Sequence, residues 1–233
     1  MVGTAINAGS VIVGSLVGIS LGAKLPERMR VTVMNGLGLL TVALGLRMAL
    51  ESKNILIVLG AILTGGLVGE ALRLDDALAW LGDWLQTRLS REDESRFGEG
   101  FITASLVFCV GPMAVLGSIN DGLTGNYQLL AVKATLDGFA AIAFSASLGW
   151  GVMLSAVTIV VYQGSITLFA SVLEKILTQP MITEMSATGG LIIVGLGLKL
   201  LNLRDIRLAS FLPALVIAPL IVLAAPLVAS LLH

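Results

Sequence analysis

Residues 38–50 read GLLTVALGLRMAL and residues 190–201 read GLIIVGLGLKLL. Gly38 matches Gly190, Val42 matches Val194, Gly45 matches Gly197 and Arg47 matches Lys199. Glycine, valine, a Leu-Gly-Leu step and a closing cation thus recur in register, as if one structural unit occurred twice. What the duplication means depends on the chain between the copies. An odd number of membrane crossings there inverts one copy relative to the other, the architecture of many secondary transporters.

The rest of the chain supports a membrane setting. Hydrophobic side chains make up 56% of the residues, charged ones 12%, and mean hydropathy is +0.97. A soluble domain carries about a quarter charged residues, so a soluble globular fold is excluded. The apolar residues fall in runs of roughly 18–23, the length that spans about 30 Å of hydrocarbon as a helix. The 27 glycines fit helices that approach closely in lipid. Spans are expected near 2–21, 31–50, 55–72, 101–119, 129–148, 151–173, 187–201 and 211–232, all helical because backbone polar groups in lipid must be satisfied within the segment. The first run lacks the basic start of a signal peptide and holds Asn7 and Ser10, so it reads as a permanent span.

Lys and Arg set the orientation, since they collect in cytoplasmic loops. With the first loop cytoplasmic, that side receives Lys24, Arg28, Arg30, Arg73, Arg88, Arg91, Arg96, Lys199, Arg204 and Arg207. The other side keeps Arg47, Lys53 and Lys175, and Lys133 stays inside a span. Both termini are then external. The largest loop carries Leu74, Leu78, Leu81, Leu85 and Leu89 at helical spacing, with Trp80 and Trp84, and reads as an amphipathic helix on the cytoplasmic surface.

The expected fold is all-α and polytopic, with an inverted three-helix repeat: spans 1–3 correspond to spans 6–8, and spans 4 and 5 link them. Copy one covers 1–72, the connector 73–98, the linking spans 99–150 and copy two 151–233. NAGSVIVGSLV (7–17) beside YQGSITLFASV (162–172) extends the match through Gly9-Ser10 and Gly164-Ser165.

Interruptions in the apolar runs supply the candidate site. Gly111-Pro112 breaks span 4, because proline removes a backbone donor and clashes with the preceding turn; a broken helix exposes backbone groups where carriers bind solute, although an ordinary kink gives the same sequence. Lys133 and Asp137 lie four apart in span 5, share a helix face and are costly in lipid unless they face protein or water. They are expected as a coupling-ion or proton site with its counter-ion, or as an interfacial lysine with a structural aspartate. Gln163, Gly164 and Ser165 form a polar island in span 6, and Asn7 and Ser10 occupy the matching part of span 1. Such groups recognise small solutes or bond helices together. Asn35 and Thr188 are similar candidates; Glu70, at the cytoplasmic end of span 3, reads as interfacial before gating, and Asn120-Asp121-Gly122 reads as a turn that could also cover an external entrance.

Other chemistry is excluded. The lone histidine, His233, rules out histidine-based triads and two-histidine metal sites. The lone cysteine, Cys109, rules out an internal disulfide framework. No GxxxxGK[ST] motif is present for ATP-driven transport, Gly14-Ser15 lacks a basic partner, and a net charge of −1 gives no hint of nucleic acid. No enzyme and no cofactor is expected.

FCVGPMAVLGSINDGL (108–123), KATLDGFAAIAF (133–144), YQGSIT (162–167) and SATGGLIIVGLGL (186–198) resemble the YqgA/YdfK-like family of bacterial inner-membrane proteins, as do GTAINAGSVIVGSLVG and the LPERMR loop. The resemblance covers nearly the whole chain. It implies a place in the bacterial inner membrane and brings no settled activity and no assigned site. The residues themselves point to an ion- or proton-coupled secondary transporter of a small polar solute, with H+ or Na+ as coupling ion. The alternatives are a channel, as a homodimer or larger assembly with pore-lining hydroxyls and glycines, and a non-transporting scaffold whose amphipathic segment 73–89 recruits a partner.

Overall fold

The structure, a computed structural model, describes residues 1–23, 26–77, 80, 84 and 97–231. Its elements are α1 (Val2–Gly22), α2 (Glu27–Ala49), α3 (Ile55–Ala71), α4 (Phe97–Cys109), α5 (Pro112–Thr124), α6 (Gln128–Leu148), α7 (Gly151–Leu168), α8 (Ala170–Ile176), α9 (Gln179–Leu200), a 3-10 turn (Leu208–Phe211) and α10 (Ala214–Leu231). No strand occurs among the described residues. Among the described residues, five helices are long and apolar enough to cross a bilayer: α1, α2 over Val31–Ala49, α6, α7 and α9. The bent pair α4–α5, turned by 63°, makes a sixth if counted as one span. Helix α3 and the segment Leu208–Ala224 are apolar but shorter. The fold is that of a helical membrane protein; the count of eight crossings is finer than length and hydropathy reach. The amphipathic connector helix falls mostly outside the described residues.

The departures from the expected boundaries have local causes. Span 4 is two helices, parted where Gly111 takes φ +146°, a conformation open to glycine. Pro112 then sits in the first turn of α5, where its missing N–H is not needed. The expected span 151–173 ends as α7 at Leu168, and the short α8 follows. The expected span 187–201 begins earlier, at Gln179, and takes Glu184 into the helix. Glu184 is 2% exposed, and the 52–54 loop holds it. Its carboxylate accepts the Ser52 hydroxyl at 2.7 Å and the backbone N–H groups of Lys53 and Asn54 at 2.7 and 3.1 Å.

Helices remote in sequence are the principal partners. Gly14, Gly18 and Gly22 lie against the carbonyls of Gly138, Ile142 and Ala146, so α1 and α6 climb together as a parallel pair. Gly151 meets the Phe97 carbonyl, the Ser105 and Thr158 hydroxyls bond at 3.0 Å, and Gly122 meets the Thr167 carbonyl, so α4 and α5 run parallel to α7. Helices α2 and α9 cross antiparallel. A Cβ on Gly45 would come 2.6 Å from the Gly190 oxygen, and one on Gly197 would come 2.9 Å from the Gly38 oxygen. Only glycine permits such backbone approach. Helix α3 meets α10 likewise, Gly65 against Ala214. Spans 4 and 5, expected as linkers, are thus lateral partners of α7 and α1. Phe108, Phe144, Ile159 and Leu196 from α4, α6, α7 and α9 fill the core between the pairs.

Candidate functional site

An apolar run cannot leave opposite charges in lipid, and α6 resolves this by pairing them. Lys133 Nζ donates to Asp137 Oδ2 one helical turn away, and the two side chains are 7% and 10% exposed. The pair faces protein. Burial of a charge is tolerated where it is paired and hydrogen-bonded. Asn7 of α1 turns toward the Asp137 carboxylate without completing a hydrogen bond. Cys109, the last residue of α4, lies within electrostatic range of both Lys133 and Asp137, and Tyr162 of α7 lies within range of Cys109. Cys109 stands two residues before the break at Gly111.

Toward the N-terminal end of α1, a second polar group collects where α1, α5 and α7 meet. Asp121 is helical, within α5, and not part of a turn. Its Oδ2 accepts the Gly3 N–H at 3.1 Å and lies 3.0 Å from the Met1 amino group. It thereby satisfies an otherwise orphaned donor at the positive end of α1. On the same three helices, Thr4 and Asn7 of α1, Ser118 of α5, and Gln163 and Thr167 of α7 are buried. Their side-chain polar atoms, both amide atoms of Asn7 and of Gln163 included, have no hydrogen-bond partner among the described residues. Gly164 packs against the Met1 side chain, which joins α7 to the same corner.

The sequence candidates divide accordingly. Asn7, Lys133, Asp137 and Gln163 face the interior, and Gly111-Pro112 forms the break between α4 and α5. Ser165 is exposed and donates to the Val161 carbonyl. Ser10 lines a groove of about 390 Å³ between α1 and α6 with Thr135 and Phe139. These two serines stand apart from the cluster. Thr188 bonds back to the Glu184 carbonyl at 2.8 Å. Thr4, Ser118, Thr167 and Glu184 were missed, since single hydroxyls are ordinary in membrane helices and Glu184 lay ahead of the apolar run.

Charges at the other end of the bundle serve the α9–α10 loop. Glu70 pairs with Arg207 and accepts the Ser210 hydroxyl at 3.1 Å, while Asp75 accepts the Ala209 N–H at 3.2 Å. Lys199 bonds Asp205 at 2.8 Å and holds that carboxyl below its ordinary range. Glu70 is a clamp on that loop.

A family model described as Protein of unknown function (DUF554) matches residues 2–223. The chain is 29% identical over 226 residues to the "Uncharacterized membrane protein YdfK" of Bacillus subtilis (strain 168), covering 95% of this chain and 96% of that protein. It is 28% identical over 222 residues to the "Uncharacterized protein YqgA" of Escherichia coli (strain K12), covering 94% of each. No solved structure matches.

Proposed function

Since the chain belongs to the DUF554 family of proteins of unknown function, we propose its activity from its own residues: an ion- or proton-coupled secondary transporter of a small polar solute. It works in the bacterial inner membrane by alternating access, with eight crossings and both termini external. The observation that carries this reading is the buried Lys133–Asp137 pair, on a helix that packs against the broken one through Phe108 and Phe144, with Asn7 turned toward Asp137 and the Gln163 amide unpartnered. A protein that only had to be stable would gain from replacing a buried ion pair with packed apolar residues. It would also have no use for a buried amide without a partner, as at Gln163. Asp137, whose charge Lys133 balances, is suited to take up and release a coupling proton as the balance shifts.

The crossing of α2 and α9 supports the inverted repeat. The register that matches Gly38 to Gly190 and Gly45 to Gly197 in sequence also relates the two contacts by exchange: Gly38 with Gly197, and Gly190 with Gly45. Binding residues sit between the halves so related, where rocking would expose them to each side in turn.

The test is solute uptake into proteoliposomes with and without a proton or sodium gradient. Gradient-driven uptake that falls at least tenfold in Asp137→Asn, in protein that still elutes as one species, is the expected result. Currents of thousands of ions per opening would favour the channel, and uptake indifferent to Asp137→Asn would remove this residue from the mechanism.

A further inference from the structure

Four charged side chains are buried among the described residues: Asp121, Lys133, Asp137 and Glu184. Each is engaged from within the protein. Lys133 and Asp137 bond each other, Glu184 accepts three donors from the 52–54 loop, and Asp121 faces the positive end of α1 through the Gly3 N–H. Beyond one open oxygen of Asp121, Oδ1, what the interior leaves unengaged is uncharged, with Ser15, Ser145 and Ser186 elsewhere among it. The amides of Asn7 and Gln163 offer a carbonyl and an NH2 each, and Thr4, Ser118 and Thr167 offer hydroxyls. They lie on three helices held together by the Gly3–Asp121 bond, the Gly164–Met1 contact and the Gly122–Thr167 contact.

From this balance we infer that the solute of the proposed transporter is uncharged, a small polyol or amide recognised by hydrogen bonds at the α1/α5/α7 junction. This deepens the transporter reading and rests on it for the word solute, though the binding site stands without transport. An anion entering this corner would meet Asp121, and its natural partner Lys133 is already held by Asp137. A cation would gain little from Asp121, whose charge the positive end of α1 already balances through the Gly3 N–H. A neutral molecule with alternating donors and acceptors meets no such opposition. It satisfies the amides and hydroxyls whose burial without partners otherwise costs stability. A site of this kind also discriminates steeply, because a solute lacking a matching hydroxyl or NH leaves those groups unpaired.

The experiment measures melting of the purified protein in detergent against a panel of glycerol, erythritol, urea, acetamide, lactate, phosphate and putrescine, at constant ionic strength. Saturable stabilisation by one or more of the four neutral probes and by none of the charged ones is expected. The apparent affinity should fall at least tenfold in Gln163→Leu and in Asn7→Leu. Selective stabilisation by a charged probe overturns the inference while leaving a transporter possible, and no saturable response to any probe overturns it as well. Should these variants not fold, the wild-type panel alone decides. A neutral probe that binds but is not carried into proteoliposomes upholds the site and defeats the transporter.

Discussion

Lys133 and Asp137 neutralise one another inside α6, so each is a hazard without the other. Lys133→Leu leaves a buried carboxylate unpaired and should cost about 3–5 kcal/mol, whereas Lys133→Leu with Asp137→Leu should recover most of that loss. Unfolding in mixed micelles with increasing SDS would show whether the double replacement is the milder one. Gln163 follows the opposite rule. Its amide bonds to nothing in the described protein, so Gln163→Leu should leave stability unchanged or raise it while abolishing solute binding. A stability loss above about 2 kcal/mol, beyond the cost of most single changes, would mean that the amide has a structural partner. The two residues also differ in how well the sequence announces them. A lysine and an aspartate one turn apart in an apolar run contradict their surroundings and are visible at once. Gln163 was visible beside Tyr162 and Gly164. Glu184 was not, because its burial depends on the backbone of residues 52–54, some 130 positions away.

Helices in lipid are held by close packing, not by a hydrophobic drive between them, so glycines on one helix are not equivalent. Gly14 faces the Gly138 carbonyl of α6, while nothing lies within 4 Å of a Cβ placed on Gly9. Gly14→Ala should therefore push α1 off α6 and cost roughly 1–3 kcal/mol, as overpacking does. Gly9→Ala should be neutral or stabilising by up to about 1 kcal/mol, the propensity gain of alanine in a helix. Equal effects in the same SDS titration would refute the α1–α6 pairing. Hydropathy made most helices legible, since the lipid requirement leaves few alternatives to an apolar helix. It could not find partners. Spans 4 and 5 read as linkers because chain order was the only guide, yet the glycines at 14, 18 and 22 already marked a packing stripe. The early start of α9 was hidden by a charge whose neutralisation is tertiary.

At the scale of the molecule, the proposed half-turn exchanges α1 with α7, α2 with α9 and α3 with α10. The parallel pairs extend it, because α6 lies along α1 as α4 and α5 lie along α7. One of these lateral partners is continuous and the other is broken at Gly111. In a carrier that alternates by exchanging the conformations of its halves, this is where the two states would differ. The exchange has a consequence for sidedness that can be measured directly. Since α2 and α9 are antiparallel, the Arg28 end of α2 lies beside the Lys199 end of α9, the side that the proposed orientation, drawn from the excess of Lys and Arg, puts in the cytoplasm. Single cysteines replacing Lys53 or Lys175, in a Cys109→Ser background, should react with an impermeant maleimide in intact spheroplasts. Cysteines replacing Arg28 or Arg204 should react only after the membrane is opened. Reversal of all four would invert the orientation and keep the fold. Arg28 and Arg204 on opposite faces would break the α2–α9 crossing, and with it the two-fold relation on which alternating access depends.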